Sequence, residues 1–379
     1  MKDHSLEVHG CHTYDATGAI SPSICLSATF RHPRFGESTG YDYGRVANPT
    51  RESLEKTVAL LERGGRSWAL SSGMAAVQLV FSLLSAGDHV LMSEDLYGGT
   101  VRLAEEVFAG YGVTFEYVDV RDLALVGKRM RSETKLVFIE TPSNPMMFVT
   151  DIRALAQIAH EKNALLVADN TFLSPHFQKP LTLGADIVLH SGTKYLCGHN
   201  DVIAGFLVLK DATSAQAKRI ELLAKSAGPN LSALDSWLML RSIKTLGVRV
   251  ERQAENALAI ARWLGTLPEV TEVLYPGLAD HPGYALQQKQ ASGAGGMISF
   301  KVRSAEIAKA ALGRLHLIAF AESLGGVETL LTYPIAQTHA EMPAALLKRT
   351  GLDDKLLRLS VGIEDVEDLK ADLQQALQG

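Results

Sequence analysis

At 379 residues the chain is too long for one compact core, and 46% apolar with 21% charged residues is ordinary for a globular protein. A net charge of −5 gives no electrostatic reason to expect nucleic acid or an anionic membrane as partner. No apolar run approaches the roughly 18 residues that span a bilayer, the start MKDHSLEVHG has no apolar signal core, and Cys11, Cys25 and Cys197 lack CxxC spacing, so a reduced cytoplasmic protein is expected.

The first forty or so residues show no sustained period and are broken by Gly18, Pro22, Pro33, Gly36 and Gly40, which reads as an extended arm. From Thr50 the texture changes. In TRESLEKTVALLERGG, Leu54, Val58 and Leu61 recur at helical spacing, with Thr50 as N-cap and Gly64–Gly65 as the stop. Short apolar strands then alternate with helical segments: 67–72, 89–94, 114–120, 135–141, 164–171 and 185–191, with 203–210 as an added, antiparallel strand. This alternation predicts an α/β fold with a mostly parallel sheet covered by helices on both faces. In such sheets ligands sit at the carboxyl ends of the strands. A long helical stretch, 233–267, leads to a smaller α+β region with a strand at 295–302 and helices at 304–315 and after Glu364. The expected organisation is an arm (1–48), a large domain (49–240) and a C-terminal domain (241–379).

The strand ADIVLHS opens into Ser191, Gly192, Thr193 and Lys194. A lone lysine in such a loop is ordinarily a surface residue, but its small hydroxylic neighbours argue otherwise. Held in a dry site, the amine loses its proton more easily and becomes a nucleophile able to condense with an aldehyde. Pyridoxal 5'-phosphate (PLP) is the leading candidate, and it makes three further demands. Its pyridinium nitrogen needs a carboxylate, and Asp169 ends an apolar strand. Its phosphate needs hydroxyls and a helix N-terminus, and Ser72 and Gly73 precede a helix opening at Met74, with Ser191 and Thr193 beside the lysine. Its ring needs a stacking partner, and Tyr97 follows another strand end.

The stretches YDYGRVANPTR (41–51), SSGMAA (71–76), DLYGGT (95–100), ETPSNP (140–145), VADNTF (167–172), HSGTKYLCGHND (190–201), AESLGGVETL (321–330) and LLRLSVGIEDVEDL (356–369) are together similar to the cystathionine synthase/lyase family of PLP-dependent Cys/Met enzymes. The resemblance implies the type I PLP-transferase fold. It implies that Lys194 bonds the cofactor, that Asp169 pairs with the ring nitrogen and that Tyr97 stacks on the ring and acts as acid/base. Ser72, Gly73, Met74, Thr171, Ser191 and Thr193 would complete the cofactor contacts, with Asn144 near the phenolic oxygen and the substrate. Arg358 would grip the substrate carboxylate as a bidentate fork, assisted by Ser323, with Glu322 near the distal end. Tyr43 and Arg45 would reach the phosphate of a neighbouring subunit, in a homotetramer whose active sites are shared.

The resemblance also favours γ-replacement on an O-acylhomoserine, with cysteine and possibly sulfide as the thiol; γ-elimination of cystathionine is the competing outcome. Gly98–Gly99 argues against the methionine γ-lyase branch, where a cysteine follows the first glycine. A nicotinamide enzyme lacks its GxGxxG turn, and a non-catalytic regulator on this fold would have lost Lys194 or Asp169. His190, Cys197 and His199 read as scaffolding, and no metal site is expected.

Overall fold

The computed structural model describes residues 1–11 and 16–378. Seven strands form the larger sheet: β1 (Arg66–Leu70), β2 (His89–Ser93), β3 (Thr114–Val118), β4 (Thr134–Glu140), β5 (Leu165–Asp169), β6 (Ile187–Ser191) and β7 (Gly205–Leu209), in the order β1-β7-β6-β5-β4-β2-β3. From β6 to β3 every neighbouring pair is parallel, whereas β7 is antiparallel to both β6 and β1. Both faces are buried, so the strands read as unbroken apolar runs. On β4, Leu136 and Phe138 join one core with Met92 and Leu189, while Val137 and Ile139 join the other with Leu91 and Val188.

A second sheet carries β8 (Val270–Leu274), β9 (Met297–Val302), β10 (Ala319–Phe320), β11 (Leu330–Thr332) and β12 (Leu356–Ser360), in the order β10-β11-β12-β9-β8. Its core includes Ile298, Phe300, Leu357 and Leu359, with Leu369 and Leu373 from the C-terminal helix Val366–Gln378.

Three local expectations are corrected. The arm opens with a helix, Asp3–His9, whose Leu6 and Glu7 are buried. The helix Pro49–Leu61 is capped by Asn48 and not by Thr50: the Asn48 Oδ1 accepts from the amides of Thr50 and Arg51, and Pro49 takes the first turn, where its missing N–H costs nothing. Thr50 Oγ1 instead accepts from the Cys25 amide, at 2.9 Å, and so ties down the arm. The stretch 233–267 is two helices, Ala233–Ile243 and Leu246–Leu264. The buried Arg249 guanidinium takes the Ser242 carbonyl and the Thr245 hydroxyl, ending one helix where the next begins. Leu246 and Val250 of the second helix join the core of Val137 and Ile139, and Ala257, Ile260 and Leu264 join the core of the second sheet.

Asn48 also donates to the Cys25 carbonyl, so it holds a helix start and the arm together. Asn48→Ala is expected to cost about 1 kcal/mol, a fall of roughly 2–4 °C in the thermal midpoint; an unchanged midpoint by calorimetry would show that the cap contributes nothing.

Candidate active site

The carboxyl ends of β1, β2, β4, β5 and β6 open on one cleft of about 260 Å³, whose far wall comes from the second sheet. Lys194 reaches it from the turn after β6, where its amide donates to the Ser191 carbonyl. Its Nζ donates to Ser323 Oγ at 2.8 Å. Burial lowers its pKa from 10.5 to about 8, with the Arg358 charge acting in the same direction and Glu322 opposing. Thr193 is locked to β7's entry, its Oγ1 accepting from the Ala204 amide at 3.0 Å.

Asp169 borders the cleft at the end of β5. Its Oδ1 accepts from the amide and the hydroxyl of Thr171, and Thr171 Oγ1 accepts from the Ser191 amide at 2.9 Å. Enclosure raises the Asp169 pKa above the usual carboxylate value. Behind it, Glu62 Oε1 takes a hydrogen bond from Asn170 and lies 2.6 Å from His190 Nε2, in a fully buried network. His199 Nδ1 lies 2.7 Å from the Cys197 carbonyl, and the buried Cys197 thiol donates to Asp201, so His190, Cys197 and His199 are each engaged in hydrogen bonds.

Arg358 sits on β12 only 2% exposed. Its Nη1 donates to Asn144 Oδ1 at 2.7 Å and its Nη2 to the Ser323 carbonyl and Thr332 Oγ1, both at 3.3 Å, while Nε has no protein partner. Burial lowers its pKa to about 10. Ser323, gripped by Lys194 on its hydroxyl and Arg358 on its carbonyl, holds φ at 92°, a left-handed conformation uncommon outside glycine. Ser72 caps the helix Gly73–Phe81 by accepting from the Ala75 amide, leaving Gly73 and Met74 at the cleft-facing helix start.

Thus Ser72, Gly73, Met74, Tyr97, Asn144, Asp169, Thr171, Ser191, Thr193, Lys194, Glu322, Ser323 and Arg358 all line the cleft. Tyr43 and Arg45 do not. Both are exposed, with Arg45 hydrogen-bonded to the Lys225 carbonyl on the outer surface. Two buried residues that brace the site's loops went unread in the sequence. Glu140, at the end of β4, accepts from the amides of Tyr97 (2.9 Å) and Asn144. Enclosure and then the nearby Asp169 push its carboxyl well above the usual range. His339, in the segment that closes over Tyr97, places Nε2 3.2 Å from the Leu96 carbonyl and 3.1 Å from that of Asn144. Burial drops its pKa to about 4, so it is a neutral donor at Nε2 that accepts from Thr338 Oγ1 at Nδ1. The strand-end position of Glu140, the same cue that marked Asp169, was the available signal; His339 had none.

Glu140→Ala leaves two amides without their acceptor and is expected to destabilise by about 1–3 kcal/mol for each that stays buried. Glu140→Gln keeps a carbonyl acceptor and should unfold within a degree or so of wild type. Equal losses in the two variants would sink this reading of the side chain as a neutral clamp.

Residues 4–378 match the Cys/Met metabolism PLP-dependent enzyme family. The chain is 46% identical to a cystathionine gamma-lyase of Bacillus subtilis (strain 168) over the whole of both chains. It is also 46% identical to the cystathionine beta-lyase MetC of the same organism, covering 96% of this chain and 93% of that one. A solved cystathionine gamma synthase from Xanthomonas oryzae pv. oryzae, in complex with aminoacrylate and cysteine, superposes with a TM-score of 0.95 at 41% identity, covering 100% of this chain and 98% of the other. The cleft fits the cofactor: an amine of lowered pKa faces an enclosed carboxyl across a space edged by a helix N-terminus and hydroxyls. The chain is an enzyme that belongs to the Cys/Met metabolism PLP-dependent family, and its cofactor is pyridoxal 5'-phosphate.

Proposed function

We propose that the enzyme joins cysteine sulfur to the γ-carbon of an O-acylhomoserine, forming cystathionine and releasing the acyl group as a carboxylic acid. The observation that carries this reading is that the cleft is lined by a cation and an anion, Arg358 with its free Nε and Glu322, both of which act on Lys194. An amino acid carboxylate suits the first, and the ammonium of a second amino acid suits the second. Gly99 supports the branch assignment, since a Cβ there would lie 2.5 Å from the Tyr97 ring and 3.2 Å from Met74 Sδ; a cysteine at 99 displaces Tyr97.

When bound, PLP supplies an electron sink that acidifies the substrate's Cα and Cβ hydrogens. Lys194, its amine pKa lowered to about 8, would take the Cα proton and move a Cβ proton. Asp169 keeps the ring nitrogen's charge paired. Tyr97, 38% exposed at the cleft mouth, protonates or guides the leaving acyl oxygen as the Cγ–O bond breaks, and takes the thiol proton as the Cγ–S bond forms. Arg358 fixes the substrate carboxylate by a charge-assisted bond, and Asn144 orients the guanidinium. Tyr43 and Arg45 serve a neighbouring copy's phosphate in a homotetramer; their exposure, and that of Ile20, Leu26 and Phe35 on the same arm, supports a segment that lies on another subunit.

A second reading, γ-elimination of cystathionine, has support from the full-length likeness to a γ-lyase. Incubation with O-acetyl- or O-succinylhomoserine plus cysteine should yield cystathionine, while cystathionine alone should yield little 2-oxobutyrate; the reverse ratio would replace the first reading by the second. Lys194→Ala should lose all turnover and the visible absorbance of the lysine-bound cofactor. Only the deprotonated amine condenses with an aldehyde, and Lys194 titrates near 8. Reconstitution of the cofactor-free protein, followed by that absorbance, should therefore quicken as pH rises to about 8 and level off above it. A rate still climbing steeply beyond pH of about 9 would show an amine of ordinary basicity.

A further inference from the structure

Away from the cleft, His4, Glu7 and His176 each bring a ligand atom within 4.8 Å of the others, the one such group of three or more metal-ligating side chains among the described residues. His4 and Glu7 stand one turn apart on the helix Asp3–His9, and His176 lies in the short helix Ser174–Phe177 after β5. His176 Nδ1 is 2.7 Å from Glu7 Oε1, and His4 Nδ1 is 3.7 Å from Glu7 Oε2. On the outer side, Glu251 Oε1 lies 3.4 Å from His4 Nε2 and 3.3 Å from His176 Nε2. Both nitrogens of both rings thus face carboxylates, one buried and one exposed.

We propose that this cluster is a zinc site, with His4 Nδ1, His176 Nδ1 and the Glu7 carboxylate as ligands and a fourth position open to water. Zinc–nitrogen and zinc–oxygen bonds of about 2.0–2.1 Å set tetrahedral ligand atoms roughly 3.3 Å apart. The distances of 2.7 and 3.7 Å bracket that spacing. Two imidazoles with a carboxylate select zinc over magnesium or calcium, which prefer all-oxygen sets. Glu251 is placed to accept the Nε2–H of both rings, the carboxylate–histidine–zinc arrangement that fixes tautomer and ring orientation.

A separate observation comes from the helix behind the cluster. Gly247, buried in Leu246–Leu264, donates its amide to Glu7 Oε2 at 3.2 Å. A Cβ on it would come within 2.6 Å of Glu7 Oε2 and 2.8 Å of His4 Nδ1. The side-chain-free position clears room beside two of the proposed ligand atoms. A metal here staples the N-terminal helix to the helix Ser174–Phe177, and Glu7 gains a cation where burial leaves it two imidazoles and one backbone amide as partners.

The test uses PLP-loaded, full-length protein with any affinity tag removed, stripped by a chelator and titrated with zinc chloride in a calorimeter. One zinc per chain is expected, together with a rise in thermal midpoint. His4→Ala, at an exposed position that leaves the fold intact, should abolish both. Glu251→Gln should keep the stoichiometry and weaken binding roughly tenfold to a hundredfold. No zinc uptake by the wild type, or one equivalent held equally well by His4→Ala, would overturn the site.

Discussion

The guanidinium of Arg358 is the constraint on which the cleft depends. A buried cation loses several kcal/mol of hydration that only well-placed acceptors restore. Arg358 comes from the second sheet, yet its shortest hydrogen bond is to Asn144, on the loop that leaves β4 of the first. Its other amino group holds the Ser323 carbonyl, and Ser323 in turn takes the Lys194 amine on its hydroxyl. The two sheets are therefore joined at the reacting end of the cleft by one charge and its acceptors. Shifting either sheet leaves the guanidinium short of partners, a cost that makes the relative position of Lys194 and Arg358 a property of folding and not of ligand binding.

Around that charge the titratable groups share one physical state. Burial pushes the carboxyls of Asp95, Glu140 and Asp169 upward, Asp95 to about 6, and pushes Lys194 and Arg358 downward. Each of these five is moved toward neutrality, while Arg358, at about 10, keeps its charge near neutral pH. A cationic ring would restore the charge of Asp169 and a carboxylate would pair with Arg358, while the helix start at Gly73 and the hydroxyls of Ser191 and Thr193 suit a phosphate. This is how a chain with unremarkable overall charge recognises a strongly charged cofactor.

The sequence revealed most where burial is continuous. Strands buried on both faces are apolar at every position, so their ends stand out, and Asp169, Ser191 and Lys194 were legible as polar residues delivered by such ends. Glu140 ends β4 in the same manner but was read past, since its partners are main-chain amides that no side-chain pattern advertises. Asn48 as cap and Arg249 as helix breaker act through near neighbours, Thr50, Arg51, Ser242 and Thr245, and also hold the distant carbonyls of Cys25 and Tyr195. The role proposed for Tyr43 and Arg45 rests on the resemblance, since both are exposed and outside this chain's own cleft. Likewise His4 and His176 lie 172 positions apart (176 − 4), beyond the reach of any spacing rule.

One helix explains how the cleft's loops keep their places. On Leu246–Leu264 the buried Arg249, Gln253 and Asn256 fall at i, i+4 and i+7, one face of the helix. Arg249 holds the Tyr195 carbonyl next to Lys194, at 2.9 Å. Gln253 holds the Gly326 carbonyl of the loop that carries Glu322 and Ser323, at 2.6 Å. Asn256 holds the carbonyls of Gly362 and Glu364, just beyond β12 and Arg358. The same helix buries its first turns in one core and its last in the other. Polar side chains so deep in a helix are expensive unless satisfied, and here each donates to the backbone of a different loop bordering the cleft. The amine, the serine and the arginine that meet in the cleft are thus registered to a single rigid rod, which is why residues from segments 164 positions apart (Lys194 to Arg358) close to hydrogen-bonding range around Ser323.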